Sequence, residues 1–130
     1  MTLADGVLIK DNHLAALQGE GVDLRQAIKR ARARAPHTVK IEVEVESIEA
    51  ALAAASAGAD IVMLDNMSPD EMRVAVDQIA TDCTVEASGG ITLANVAEVA
   101  ASGVDIISIG ALTHSVRALD ISLDYETKNA

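Results

Sequence analysis

Aromatic side chains are almost missing from this sequence: one Tyr, no Phe and no Trp in 130 residues. A core must therefore be aliphatic, and there are no platforms on which unpaired bases could stack. Positive charge is scarce too. Ten Lys and Arg stand against 20 Asp and Glu, a formal charge of −10. A field of that sign opposes DNA, RNA and anionic membrane surfaces, so no nucleic acid and no membrane is expected as a partner. The one cysteine, Cys83, cannot form an intrachain disulfide, suits a reducing compartment and reads as a buried apolar residue. No apolar run approaches the ~20 residues of a spanning helix. Residues 1–11 hold no charged-then-apolar leader, which makes the cytoplasm the expected address. What is present is a 50% hydrophobic chain, enough for a single real core.

The organisation is strand, loop, helix, repeated. An aliphatic run over 7–10 ends in the polar loop Asp11-Asn12-His13. Asp23 caps a helix over 24–34 that Pro36 stops. Residues 38–45 alternate strictly: Ile41, Val43 and Val45 point one way, Glu42, Glu44 and Glu46 the other. Ser47 caps an Ala-rich helix that Gly58 closes, and a strand over 60–64 ends at Asp65-Asn66. Ser68-Pro69-Asp70-Glu71 is a capping box with Pro at the first helical position. A strand over 84–87 runs into Ser88-Gly89-Gly90, and Thr92 opens a helix ended by Gly103. A strand over 105–109 runs into Gly110-Ala111-Leu112-Thr113-His114, and 119–125 reads as a short strand or hook. Gly58-Ala59-Asp60-Ile61-Val62 recurs as Gly103-Val104-Asp105-Ile106-Ile107, the rhythm of successive βα units.

Short aliphatic strands separated by helices predict an α/β fold with a parallel, covered sheet. A doubly wound sheet and a (β/α) barrel share this pattern. Two features favour the barrel. Polar residues follow every strand, whereas a doubly wound sheet gathers its site at one switch point. Second, Glu42, Glu44 and Glu46 cannot be buried against aliphatic helices. The expectation is an incomplete TIM-like barrel of five βα units plus a tail. Five units do not close a barrel, so the chain is incomplete or closes with a partner.

The strand ends carry the chemistry. In Ser88-Gly89-Gly90 a glycine pair lets backbone N–H groups approach an oxyanion, and the following helix adds its positive end. Gly110-Ala111-Leu112 offers a second such turn, with His114 and Ser115 nearby. Loops after the last strands of barrels often hold phosphate. Glycine also ends many strands for no chemical reason, so plain loop geometry stays open. Glu44 and Asp65 end neighbouring strands, with Glu86 a third candidate; converging carboxylates call for a cation, and Mg²⁺ on a phosphorylated substrate suits them. Pairing with Lys10 is the alternative. Lys10 ends an apolar strand and could hold an anion at the mouth of this acidic site; a structural Lys–Glu pair is the rival reading. His13 fits a cap, a solvated residue or chemistry equally well, and His37 reads as surface. The arginines Arg25, Arg30, Arg32 and Arg34 read as one solvated helix face. No Ser-His-Asp arrangement and no Cys or His metal spacing stands out.

Taken in order, five segments form a set. They are Asp5-Gly6-Val7-Leu8-Ile9-Lys10-Asp11-Asn12-His13, Ile41-Glu42-Val43-Glu44-Val45, Leu64-Asp65-Asn66-Met67-Ser68-Pro69, Glu86-Ala87-Ser88-Gly89-Gly90-Ile91 and Ser108-Ile109-Gly110-Ala111-Leu112-Thr113-His114-Ser115. Their order and spacing resemble the quinolinate phosphoribosyltransferase family over essentially the whole chain, which corresponds to roughly the C-terminal half of that family's proteins. The resemblance implies transfer of phosphoribose from phosphoribosyl pyrophosphate to quinolinate with decarboxylation. The products are nicotinate mononucleotide, CO₂ and pyrophosphate, with Mg²⁺ as cofactor, in NAD biosynthesis. It implies an open α/β barrel beside an N-terminal sandwich domain, in homodimers or dimer-based hexamers. It makes Lys10 the active-site lysine, and Glu44 and Asp65 the acids beside ribose and the metal–pyrophosphate. Ser88, Gly89, Gly90, Gly110, Ala111 and Leu112 become the phosphate turns, with His114 in the second motif.

The departure matters as much. Two polyanionic substrates call for several Arg and Lys side chains, and only Lys10 stands at a strand end here. The resemblance puts the rest upstream, in a sandwich domain and first barrel strands expected to be absent. The chain alone is therefore expected to have little or no activity. The rival readings are a paralogous phosphoribosyltransferase of the same fold acting on another acid, and a non-catalytic phosphate-binding fragment.

Overall fold

The computed structural model describes residues 5–19, 21–79 and 83–114; the expected hook over 119–125, and Ser115, lie outside them. The described residues form β1 (Gly6–Ile9), α1 (Asp11–Gln18), α2 (Leu24–Arg34), β2 (Lys40–Val45), α3 (Ile48–Ser56), β3 (Ile61–Asp65), α4 (Pro69–Gln78), β4 (Thr84–Ser88), α5 (Val96–Ala101), β5 (Ile106–Ile107) and α6 (Ala111–His114). All pairings are parallel and the strand order is β1-β2-β3-β4-β5. Every crossover advances one strand in the same direction. Right-handed connections then place all the helices on one face. The order never reverses, so this is the wall of a barrel and not a doubly wound sheet.

Register sorts the side chains by face. Ile9, Val43, Val62 and Val85 lie in one row, and Val45, Leu64, Ala87 and Ile107 in the next. These rows pack with Ile28, Ala51, Ala54, Met72, Ala75 and Val99 of the helices into one aliphatic core. Alanine on α3 brings that helix close to the strands, which suits a core without aromatic bulk. The opposite face carries Leu8, Glu42, Ile61 and Thr84 in one row and Glu44, Met63, Glu86 and Ile106 in another. No described helix covers it.

The caps explain the helix starts. Asp23 accepts from the Gln26 N–H at 2.7 Å, and Ser68 and Glu71 form the expected box under Pro69. Other expectations need correction. The polar cluster Asp11-Asn12-His13 is the first turn of α1, not a loop; Asp and Asn serve both settings, and the Leu and Ala that follow favour helix. Thr92 does not open α5. The Asn95 carboxamide oxygen accepts from the Thr92 N–H at 2.7 Å and its Nδ2 donates to the Gly90 carbonyl at 3.1 Å, making a turn that delays the helix to Val96. The strand expected over 105–109 pairs only at Ile106–Ile107.

The repeated segment has a physical job. Asp60 donates its N–H to the Ile41 carbonyl at 2.9 Å and accepts the Ile41 N–H on its carboxylate at 2.7 Å. Asp105 repeats this with Val85, at 2.9 and 2.8 Å. Each Asp thus clasps the N-terminal end of the preceding strand and fixes register. Arg32 reinforces the first clasp, donating to Asp60 at 2.5 Å, to the Gly58 carbonyl at 3.2 Å and to the Val39 carbonyl at 3.3 Å. It is a built-in tie, not part of a solvated face; Arg25 likewise donates to Ser56.

Burial pushes the Asp60 carboxyl up, but the Ile41 N–H and the Arg32 guanidinium outweigh it and hold it below its ordinary value. Its contribution is therefore present above the unfolded carboxyl range and lost as pH falls through the folded one. Asp60→Ala should cost about 2 kcal/mol of unfolding free energy at neutral pH, and Asp105→Ala less, since among the described residues no salt bridge joins a cation to it. Urea melts of the Asp60 variant and the unaltered chain should begin to converge below about pH 4 and draw together as pH falls through the lowered folded value; a gap that stays constant across that fall refutes the clasp.

Candidate active site

Parallel strands end on one rim, and the candidate residues follow that rim from β1 to the loop after β5. Lys10, one residue past β1, places its Nζ 3.3 Å from Glu44 Oε2. The Glu44 side chain is only 12% exposed, so it needs a partner, and the Lys–Glu pair considered from sequence exists. Asp65 ends β3 in register with Ser88, the last residue of β4. Its carboxylate accepts from Asn66 Nδ2 at 2.8 Å, and the Asn66 N–H donates to the Ser88 carbonyl at 3.0 Å.

Asn66 is the link that residue type did not disclose. It takes φ 54°, the left-handed region, which Asn tolerates better than most residues. Gly89, at φ +78°, lies so close that a Cβ there would sit 2.4 Å from Asn66 Oδ1 and 2.7 Å from its backbone N. This close approach, and not strand ending alone, is why position 89 requires glycine.

Beyond this corner lies a cavity of about 350 Å³ lined by Ser88, Gly89, Gly90, Ile91, Thr92, Ser108, Gly110 and Ala111. The two glycine turns thus share one cavity of the size of small-ligand sites. Lys10, Glu44 and Asp65 do not line it; they stand along the rim beside it. Leu112 does not line it either: on α6 it is 74% exposed. His114 ends α6. The helix end expected behind Gly90 is also displaced, because the Thr92–Asn95 turn intervenes and bonds its own Thr92, Ala94 and Asn95 N–H groups.

Below the rim the acids crowd. Glu86 is buried and accepts from Ser108 Oγ at 2.5 Å. Glu42 Oε1 is buried without a hydrogen-bond partner. Burial, then Glu86, then Glu44 push the Glu42 carboxyl above its ordinary value. Among the described residues no three His, Cys, Asp or Glu side chains gather so as to hold a metal ion. Cys83 lies at the opposite end of the strands, beside Lys40 and Asp60; it is half-buried and not fully buried as expected, and what burial it has pushes its thiol above the ordinary value.

Comparison with known proteins shows the family. Residues 1–124 match the family model of the quinolinate phosphoribosyl transferase C-terminal domain. The chain is 46% identical over 127 residues to a probable nicotinate-nucleotide pyrophosphorylase (carboxylating) of Bacillus subtilis, covering 98% of this chain and 43% of the relative. It is 42% identical over 120 residues to the human nicotinate-nucleotide pyrophosphorylase (carboxylating), covering 90% and 39%. The crystal structure of NadC from Streptococcus pyogenes superposes with a TM-score of 0.80 at 42% identity, over 95% of this chain and 42% of that one. The chain spans less than half the length of these relatives.

Two expectations follow from the site. Gly89→Ala should cost about 3 kcal/mol, combining left-handed strain with the Asn66 clash. Gly90→Ala, with its Cβ 4.0 Å from Asn66 Oδ1, should cost about 1 kcal/mol; equal melting shifts would contradict the close approach. For Glu42, a raised folded value means stability is fully present below the unfolded carboxyl range and lost as pH rises through the folded value. Glu42→Gln should therefore unfold at higher denaturant than the unaltered chain at pH 7, with the advantage vanishing near pH 4.

Proposed function

The chain belongs to the quinolinate phosphoribosyl transferase family, and from that premise we propose that it carries the sugar-phosphate side of a phosphoribosyl transfer from phosphoribosyl pyrophosphate to quinolinate. Decarboxylation then gives nicotinate mononucleotide, CO₂ and pyrophosphate. The observation that carries this is the single cavity shared by the Ser88-Gly89-Gly90 and Gly110-Ala111 turns, next to the Asp65–Asn66 corner and on the same rim as Lys10–Glu44.

Amides and hydroxyls of that cavity would hold the 5′-phosphate still, a positioning role. Glu44 and Asp65 would lie beside the ribose, where negative charge favours an oxocarbenium-like transition state. Lys10 is the cation for an anionic substrate group, and its partner Glu44 keeps it at the rim. No side chain acts as nucleophile. Mg²⁺ fits only as a companion of the diphosphate, because the donor set has two rim carboxylates, one already paired; when bound it offsets charge on the leaving group. A homo-oligomer in the cytoplasm belongs to the same reading, and the exposed Leu93 and Leu112 would serve association.

Charge also decides what this chain does alone. Arg32 is tied to Asp60 and Arg73 to Asp70, while Arg30 and Arg34 line a different groove with His13. Lys10 remains as the rim cation among the described residues, facing two polyanions. The residues by which the relatives exceed this chain are the proposed source of the others.

Steady-state assays should show no turnover by the 130-residue chain, and turnover when the part of a relative that this chain does not cover is supplied. Robust turnover by the chain alone overturns this. Lys10→Ala should abolish activity of the reconstituted enzyme. Phosphoribosyl pyrophosphate binding without turnover, even after reconstitution, would favour the non-catalytic phosphate-binding reading instead.

A further inference from the structure

We infer that His13 is a positioning residue: its imidazole Nδ1 holds the backbone of Lys10 and so aims the ammonium at Glu44 and at the anion the site receives. The second half of that statement rests on the proposed reaction; the first rests on geometry alone.

The β1–β2 ladder ends at Ile9 opposite Val43. Lys10 is thus the first residue the sheet does not hold, on a strand with one neighbour among the described strands. Ile9 points into the helix-side core at 6% exposure, so alternation turns Lys10 toward the uncovered face, where Glu44 waits across the ladder. Two hydrogen bonds fix the residue there. Its N–H donates to His13 Nδ1 at 3.1 Å, and its carbonyl accepts from the Leu14 N–H at 3.1 Å. Its backbone is extended, φ −102° and ψ 165°. The second bond is the ordinary first turn of α1. The first depends on one side chain.

The residue type is informative. At this third helical position Glu or Gln usually reaches back to the cap, and glutamate is abundant in this chain. The side chain at 13 lines a groove with Arg30 and Arg34, where a carboxylate would have guanidinium rivals to the Lys10 N–H. Imidazole accepts as a neutral group, with its proton on Nε2. It secures the backbone and leaves the ammonium free for Glu44.

The test compares His13→Ala with His13→Gln, which restores a neutral acceptor, in the 130-residue chain by NMR. His13→Ala should speed amide exchange at Lys10 about tenfold. It should also move the Lys10 Cε signal toward its position in Glu44→Gln, where the pair is broken by design. His13→Gln should return both readouts close to the unaltered chain. Amides of Val43 and Val62 in the core rows should not change in either variant, which separates aiming from general unfolding. Unchanged Lys10 signals in His13→Ala, or a Gln variant that behaves like the Ala one, overturn the inference. Neither readout involves a ligand. If both shift as expected while phosphoribosyl pyrophosphate fails to bind, His13 keeps its role and the reaction is the part that falls.

Discussion

One constraint organises the molecule: the helices cover a single face of a parallel sheet. Each strand must then be apolar on that side, and it is free to be charged on the other. β2 states the rule most clearly, with Ile41, Val43 and Val45 buried and Glu42 and Glu44 opposite. Register extends each residue into a row, so one strand's alternation becomes two chemically distinct surfaces. The aliphatic surface makes the core. The acidic surface rises toward the rim where Lys10, Asp65 and the glycine turns stand.

That arrangement needs register to be secure, because a one-residue slip would turn the glutamates into the core. The Asp60 and Asp105 clasps supply security at the N-terminal ends of the strands, away from the site. At the C-terminal ends the equivalent fastening is the Asn66–Ser88–Gly89 corner, where two loops approach within backbone contact. The two ends therefore divide the labour. Clasps at one end join a carboxylate to a backbone N–H and repeat with the βα unit; the other end is shaped by positive-φ residues beside a cavity.

Much of this was legible in the sequence, for identifiable reasons. Strict alternation in 41–46, a cap at Asp23 and a capping box at Ser68 are local signals, and local signals placed β2, α2 and α4. The repeat around Asp60 and Asp105 announced βα units, but not that its carboxylates bind backbone N–H groups of the preceding strand. That partner is some twenty residues away in sequence, so no local pattern encodes it. The Arg32 tie was hidden for the same reason, inside what looked like a uniformly solvated face. α1 was missed because Asp-Asn-His suits a loop and a helix start equally. The glycine turns were visible as composition; their union in one cavity, and the exclusion of Leu112 from it, depend on how β4 and β5 sit side by side. His13 shows the limit most sharply. A histidine three residues into a helix has no unique reading until its Nδ1 is seen 3.1 Å from a specific N–H.

The acidic face poses the remaining physical question, since it is a poor solution for stability. Among the described residues Glu42 has an orphaned buried oxygen, Glu86 accepts from the Ser108 hydroxyl, and Lys10 balances Glu44. Sequences that break a local rule of this kind do so where function is concentrated. In the proposed reaction, carboxylates that repel one another in the resting chain would be favourably placed as a cationic sugar centre develops, because attraction would relieve the repulsion. The cost lies in the folded chain and the gain would lie in that transition state. A face selected only for folding would have replaced Glu42 with an apolar residue to match Ile61 beside it. That a glutamate stands there, under a rim built of glycine turns and one held lysine, is what folding alone does not account for and the proposed chemistry does.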